Sequence, residues 1–150
     1  MKYRMSICMA SLISGLVAVY LHLWKIGKVG QLVCTTGLSC EQVQNSSFGS
    51  VLGIDVALVG TVAYAVLFVV SLISLQPRSL DARWPTLAMM GIIWPAVLFT
   101  GWLKYGEFFV LRSFCAWCAV SAVAITLCAV MVTLDWRRVR GLPLAETRLA

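Results

Sequence analysis

Four of the six cysteines in this chain fall into two close pairs, Cys34 with Cys40 and Cys115 with Cys118. A thiol pair that opens and closes passes two electrons by exchange with another thiol pair. Cys115-Ala116-Trp117-Cys118 heads an apolar run that continues to Trp136. On a helix, residues three apart share a face with Cα atoms about 5–6 Å apart, a separation that a disulfide spans. The spacing predicts that Cys115 faces water and Cys118 lies one turn deeper, roughly 4.5 Å nearer the lipid. A redox pair at a water–lipid boundary suits electron transfer between protein thiols outside and a lipid-soluble carrier inside. The competing reading is two small buried residues, since free cysteine is among the most buried types.

The elements that must position these pairs are membrane helices. Of 150 residues, 61% are hydrophobic and only 12% are charged, with a mean hydropathy of +0.91. A soluble domain carries about a quarter charged residues, so this chain is built for lipid. The net charge of +6 does not point to nucleic acid. Its basic residues flank apolar segments and read as topology signals.

Four spans are predicted: residues 5–24, 56–75, 84–105 and 114–136. The first has a basic start but no small-residue cleavage site, so it reads as a retained helix and not a signal peptide. Tyr20, His22 and Trp24 anchor its end at the interface. His22 is the only histidine, with no neighbouring ligand set, so no metal site is expected. The polar segment 25–55 holds Cys34 and Cys40, and a segment that long is expected to be functional or disordered. Residues 46–53 are predicted to form a short surface helix capped by Asn45 or Ser46. Asp55 reads as the N-cap of the second span, with hydrogen bonding to a ligand as the other role. Pro85 suits a first helical turn, and Pro95 is expected to kink the third span. The organisation is one membrane domain, 1–136, and a basic tail, 137–150.

With both termini cytoplasmic, the inner side carries Lys2, Arg4, Arg78, Arg83, Arg137, Arg138, Arg140 and Arg148. The outer side carries Lys25, Lys28, Lys104 and Arg112, so the balance follows the positive-inside rule. This orientation places Cys34, Cys40, Cys115 and Cys118 on the outer, oxidising side. Cys8 and Cys128 read as packing residues. Two static disulfides are the plain alternative to a relay. However, a Cys-x-x-Cys bond closes too small a loop to add much stability, and such bonds are usually exchange sites.

The ordered series Cys34-x5-Cys40, Val43, Ser46, Gly60-x3-Tyr64 and Cys115-x2-Cys118 resembles the vitamin K epoxide reductase family over residues 5–136. It is most similar to the bacterial branch, in its form without a fused thioredoxin-like domain. The resemblance implies an all-α bundle of four transmembrane helices around a quinone, ubiquinone or menaquinone, with a surface helix in the first outer loop. It implies Cys115 and Cys118 as the active pair, Cys34 and Cys40 as the shuttle pair, and Ser46 as a nearby hydroxyl. Asp55 and Tyr64 join Cys118 and Ser46 as candidate quinone contacts. Ala122 and Val56 stand where animal members carry tyrosine and asparagine, which favours quinone reduction over epoxide chemistry.

The expected route starts at a thioredoxin-like partner outside the bacterial inner membrane. It passes through Cys34–Cys40 to the more exposed Cys115, then through Cys118 to the quinone. Phe48, Met89, Met90 and Phe114 are candidate pocket walls beside their ordinary packing role. The rival classes are a channel or transporter, and a structural membrane protein held by static disulfides. The first is disfavoured by spans expected to carry no formal charge.

Overall fold

A chain in lipid has no water to bond, so each crossing segment must satisfy its own amides as a helix. The computed structural model describes residues 2–30, 45–46, 49–51, 53–79, 82–112 and 114–141. Cys34, Cys40 and Phe48 lie outside the described residues. Among those described, four helices are long and apolar enough to cross a membrane. They are α1 (Lys2–Lys25), α2 (Val56–Ser74), α3 (Trp84–Tyr105) and α4 (Ala116–Arg140). α1 packs on α2 and α4, and α3 completes the bundle against α4 and α2.

The core forms where Ile7, Leu67, Met89, Ile93, Cys128 and Val132 meet. The outside is apolar as well: Leu16, Val62, Leu98 and Val123 are all more than half exposed, as a lipid-facing surface requires. Hydroxyls within the helices return to their own backbone, as Thr61 does to the Ala57 carbonyl at 2.8 Å and Thr133 to the Ala129 carbonyl at 2.7 Å. A Cβ added at Gly15 of α1 would stand 3.4 Å from the Tyr64 Cβ. That close approach of α1 and α2 fixes where Tyr64 enters the bundle.

The outer two spans are longer than their apolar runs. α1 includes Lys2 and Arg4, and Arg4 is buried, its guanidinium bonded to Asp135 of α4. α4 continues past Trp136 to Arg140, with Arg137, Arg138 and Arg140 in a last turn where the helix dipole favours cations. α3 passes through Pro95 and ends in a π-helical turn, Gly106–Val110, whose Leu111 N–H donates to the Gly106 carbonyl at 2.9 Å.

The expected surface helix over 46–53 is corrected in its second half. Strand β1 (Ser50–Val51) pairs antiparallel with β2 (Ile54–Asp55), Ser50 facing Asp55 and Val51 facing Ile54. The turn between them uses Gly53 at φ 79°, a conformation that ends helix and favours glycine. The Val56 N–H donates to the Gly49 carbonyl at 3.1 Å, tying this hairpin to the start of α2.

Candidate active site

Cys115 is not inside a helix but immediately before one. Its backbone is extended (φ −107°, ψ 114°), and its Sγ accepts the Cys118 N–H at 3.3 Å as the N-cap of α4. The Cys115 N–H in turn donates to the Glu107 carboxylate on the π turn. This double tether pulls Cys115 inward. It is 0% exposed, packed with Leu21, Ala57, Tyr20 and Trp24. The expected order of exposure is therefore corrected: Cys115 is the enclosed member, and Cys118 is the half-buried one.

The partial exposure of Cys118 is toward a cavity. All four helices line a space of about 380 Å³, walled by Val17, Leu21, Ala57, Ile92, Phe99, Leu103 and Trp117, among others. Small residues open it, with Ala57, Gly60 and Ala63 along α2 and Ala96 facing from α3. Few polar groups enter, chiefly Tyr64, Ser121, Lys104, Glu107 and the Cys118 thiol. The Tyr64 hydroxyl lies 2.9 Å from Ser121 Oγ. An apolar cleft of this size with a few convergent polar groups has the form of a small-molecule site.

The electrostatics favour a thiolate on Cys115. The hydrogen bond from the Cys118 thiol is the largest influence and brings Cys115 down to about 7. Burial opposes it, the Cys118 N–H supports it, the Glu107 charge raises it and the Lys104 charge lowers it. A sulfur at a helix N-terminus gains from the dipole in the same sense.

Asp55 is the N-cap of α2, accepting the Ala57 N–H at 3.2 Å. Its carboxylate also meets His22 Nδ1 at 2.7 Å and Lys25 Nζ at 3.1 Å, while Lys25 reaches on to the Gly49 carbonyl at 2.8 Å. Burial raises the Asp55 carboxyl, but the bonds from His22, Lys25 and the Ala57 N–H outweigh it and leave it lowered. Asp55 thus joins α1, the hairpin and α2, and it is not among the residues lining the cavity, whereas Gly49, Val56 and Ala57 are. Ser46 is half-buried, and its carbonyl accepts the Gly49 N–H at 2.9 Å. It too is absent from the cavity wall.

Met89 and Met90 belong to the packed core, and Phe114 lies beside Lys104. Among the described residues the aromatic walls of the cavity are Tyr64, Phe99 and Trp117.

The expectation of spans without formal charge is also corrected. Asp135 is buried within α4 against Arg4. Lys104 of α3 pairs with Glu107 at 2.6 Å on the cavity wall. The signal for the second pair was present as Lys104-x-x-Glu107, the spacing that puts two side chains on one helical face.

These features define a multi-pass helical membrane protein with a cysteine pair at the mouth of an apolar cavity. Residues 5–133 match the profile of the vitamin K epoxide reductase family. The chain belongs to that family and is a membrane oxidoreductase. No curated protein matches the chain.

Proposed function

We propose that this protein is a thiol:quinone oxidoreductase that draws electrons from thiols outside the membrane and delivers them through Cys115 and Cys118 to a quinone. The observation that carries this reading is the placement of Cys118 on the wall of the apolar cavity, beside a Cys115 held as the N-cap of α4. A planar apolar ring with two polar oxygens is the kind of group such a cavity suits.

The step balances within the pair and the acceptor. Two electrons and two protons leave the Cys115 and Cys118 thiols, the disulfide between them forms, and the quinone departs as quinol. Cys115, lowered to about 7, supplies the thiolate that closes on the Cys118 sulfur. The protein contributes position and a water-poor site, and the quinone supplies the redox chemistry.

Cys34 and Cys40 are the proposed shuttle, oxidising a thioredoxin-like partner and passing its electrons to the helix pair. Ser46, three residues before Gly49 on the cavity wall, is the hydroxyl proposed to approach the quinone, with Tyr64 on the wall itself. Residues 1–136 form the catalytic domain in this reading, and 137–150 a basic cytoplasmic tail. The excess of Lys and Arg at the Arg4 end supports a bacterial inner-membrane orientation with both termini cytoplasmic. The bias keeps its sign when the buried Arg4 is left out.

The test is anaerobic reduction of a short-chain quinone by purified protein and a thioredoxin-like dithiol. Quinol formed in step with partner disulfide is the expected result. Static disulfides would give none. A C-terminal alkaline phosphatase fusion should be inactive, and an active one would invert the orientation.

A further inference from the structure

Lys104 and Glu107 occupy an unusual place for a pair of charges. Both line the apolar cavity that holds the Cys118 thiol. The Glu107 side chain is 3% exposed and the Lys104 side chain 19%. Charges so enclosed on an apolar wall are costly to desolvate, and in membrane proteins charges facing a cavity mark functional sites by default.

The chain holds the pair by three devices. The π turn that ends α3 turns Glu107 inward, and π turns within helices concentrate at functional sites. One Glu107 oxygen takes the Lys104 ammonium and the other takes the Cys115 N–H, so a single carboxylate spans cation and redox cysteine. The rings of Phe114 and Phe108 stand 5.4 and 5.9 Å from the ammonium. Among the described residues Glu107 is its only hydrogen-bond acceptor. An ammonium has three donors, so two remain for the cavity.

We propose that Lys104 is a catalytic residue of quinone reduction, setting its ammonium against the quinone oxygen on which negative charge builds, with Glu107 as the positioning residue that fixes Lys104 relative to Cys115. The inference rests on the thiol:quinone reading. The quinol's two protons are the one held on the Cys118 thiol and the one Cys115 released to water on becoming a thiolate, and Lys104 keeps its own. Its role is to hold the oxygen's charge until those protons arrive. A fixed cation in a water-poor site stabilises developing charge far better than one in water. Because the contact strengthens as charge develops, its loss falls on kcat more than on KM.

The experiment measures reduction of a short-chain benzoquinone by purified protein with dithiothreitol as electron source. Reduction of the Cys115–Cys118 disulfide by dithiothreitol is followed in parallel. Lys104→Met is expected to cut kcat for the quinone about a hundred- to a thousandfold, the range for a single donor to a developing oxyanion. KM should move little, and disulfide reduction should continue. Lys104→Gln carries the same expectation, so the test does not depend on one variant folding. Lys104→Arg, which keeps cation and donors, should recover most of the loss.

Glu107→Gln should slow the wild type yet add nothing to Lys104→Met, because the two act through one contact. Additive losses would overturn the positioning role. Full quinone turnover in Lys104→Met, or an Arg variant no better than Met, would overturn the role of Lys104 while leaving the thiol:quinone reading intact. Absence of quinone reduction by the wild type would overturn that reading itself.

Discussion

Arg4 and Asp135 lie 131 positions apart in the chain and 2.9 Å apart in the bundle, at the end opposite the Cys115–Cys118 pair. The same guanidinium reaches the carbonyls of Ser74 and Ser79 at 2.9 and 2.7 Å and the Thr86 hydroxyl at 3.1 Å. Thr86 donates to Asp135 at 2.8 Å. One arginine therefore joins α1, the end of α2, the turn after it, α3 and α4. This clasp closes the bundle far from the site, leaving the other end to open around a cavity.

Removing one partner of a buried pair leaves the other charge unpaired, at a cost of about 3–5 kcal/mol. Asp135→Ala and Arg4→Met should each lower the unfolding temperature in detergent by that measure. The double variant Arg4→Met, Asp135→Leu should regain much of the loss. Single variants that melt with the wild type would contradict the clasp.

The four helices were legible because each apolar run is long enough to span lipid, and the ends drifted where charge pairing overrode hydropathy. Arg4 reads as a flanking topology signal until Asp135 is found beside it, and only the tertiary fold brings the two together. The Cys115–Cys118 pair stood out by its spacing and Tyr64 only by the family resemblance, and Tyr64 and Cys118 both line the cavity. The reversed exposure of Cys115 and Cys118 was not legible, since it depends on Glu107 folding back from a π turn onto the Cys115 N–H. The hairpin at 50–55 was hidden for a local reason: Gly53 at positive φ suits the end of a helix as well as a turn between strands, and only the pairing of Ser50 with Asp55 and Val51 with Ile54 decides.

Asp55 gives a pH signature. Its carboxyl is lowered in the fold by the His22, Lys25 and Ala57 bonds, against burial that raises it. The unfolded chain thus takes up this proton more readily than the folded one. The stabilisation is complete above the ordinary carboxylate value of about 3.9 and is lost as pH falls through the lower folded value. Asp55→Ala should remove a cap worth roughly 0.5–2 kcal/mol near neutrality and flatten the acid limb of the melting curve. An unchanged acid limb would show that another carboxylate sets it.

Cys115 should ionise near 7, followed by thiolate absorbance in the reduced protein. Its largest support is the Cys118 thiol, so Cys118→Ala should move that midpoint upward. A midpoint that stays in place would assign the lowering to the helix end instead.

For Ser46 the two roles separate cleanly. A catalytic hydroxyl predicts that Ser46→Ala cuts quinone turnover about a hundred- to a thousandfold with melting unchanged. A capping role predicts lower melting by about 0.5–2 kcal/mol and intact turnover of the folded protein.

The most direct measurement concerns Cys118. Quinone reduction is followed with two electron sources, the thioredoxin-like partner and a small dithiol that reaches the helix pair directly. Cys118→Ala should abolish quinone reduction with both while partner thiols still exchange with Cys34–Cys40. Cys34→Ala and Cys40→Ala should lose turnover with the partner and keep it with the small dithiol. Quinone reduction by Cys118→Ala at the wild-type rate would contradict the account, because the sulfur on the cavity wall would then not be where electrons leave the protein.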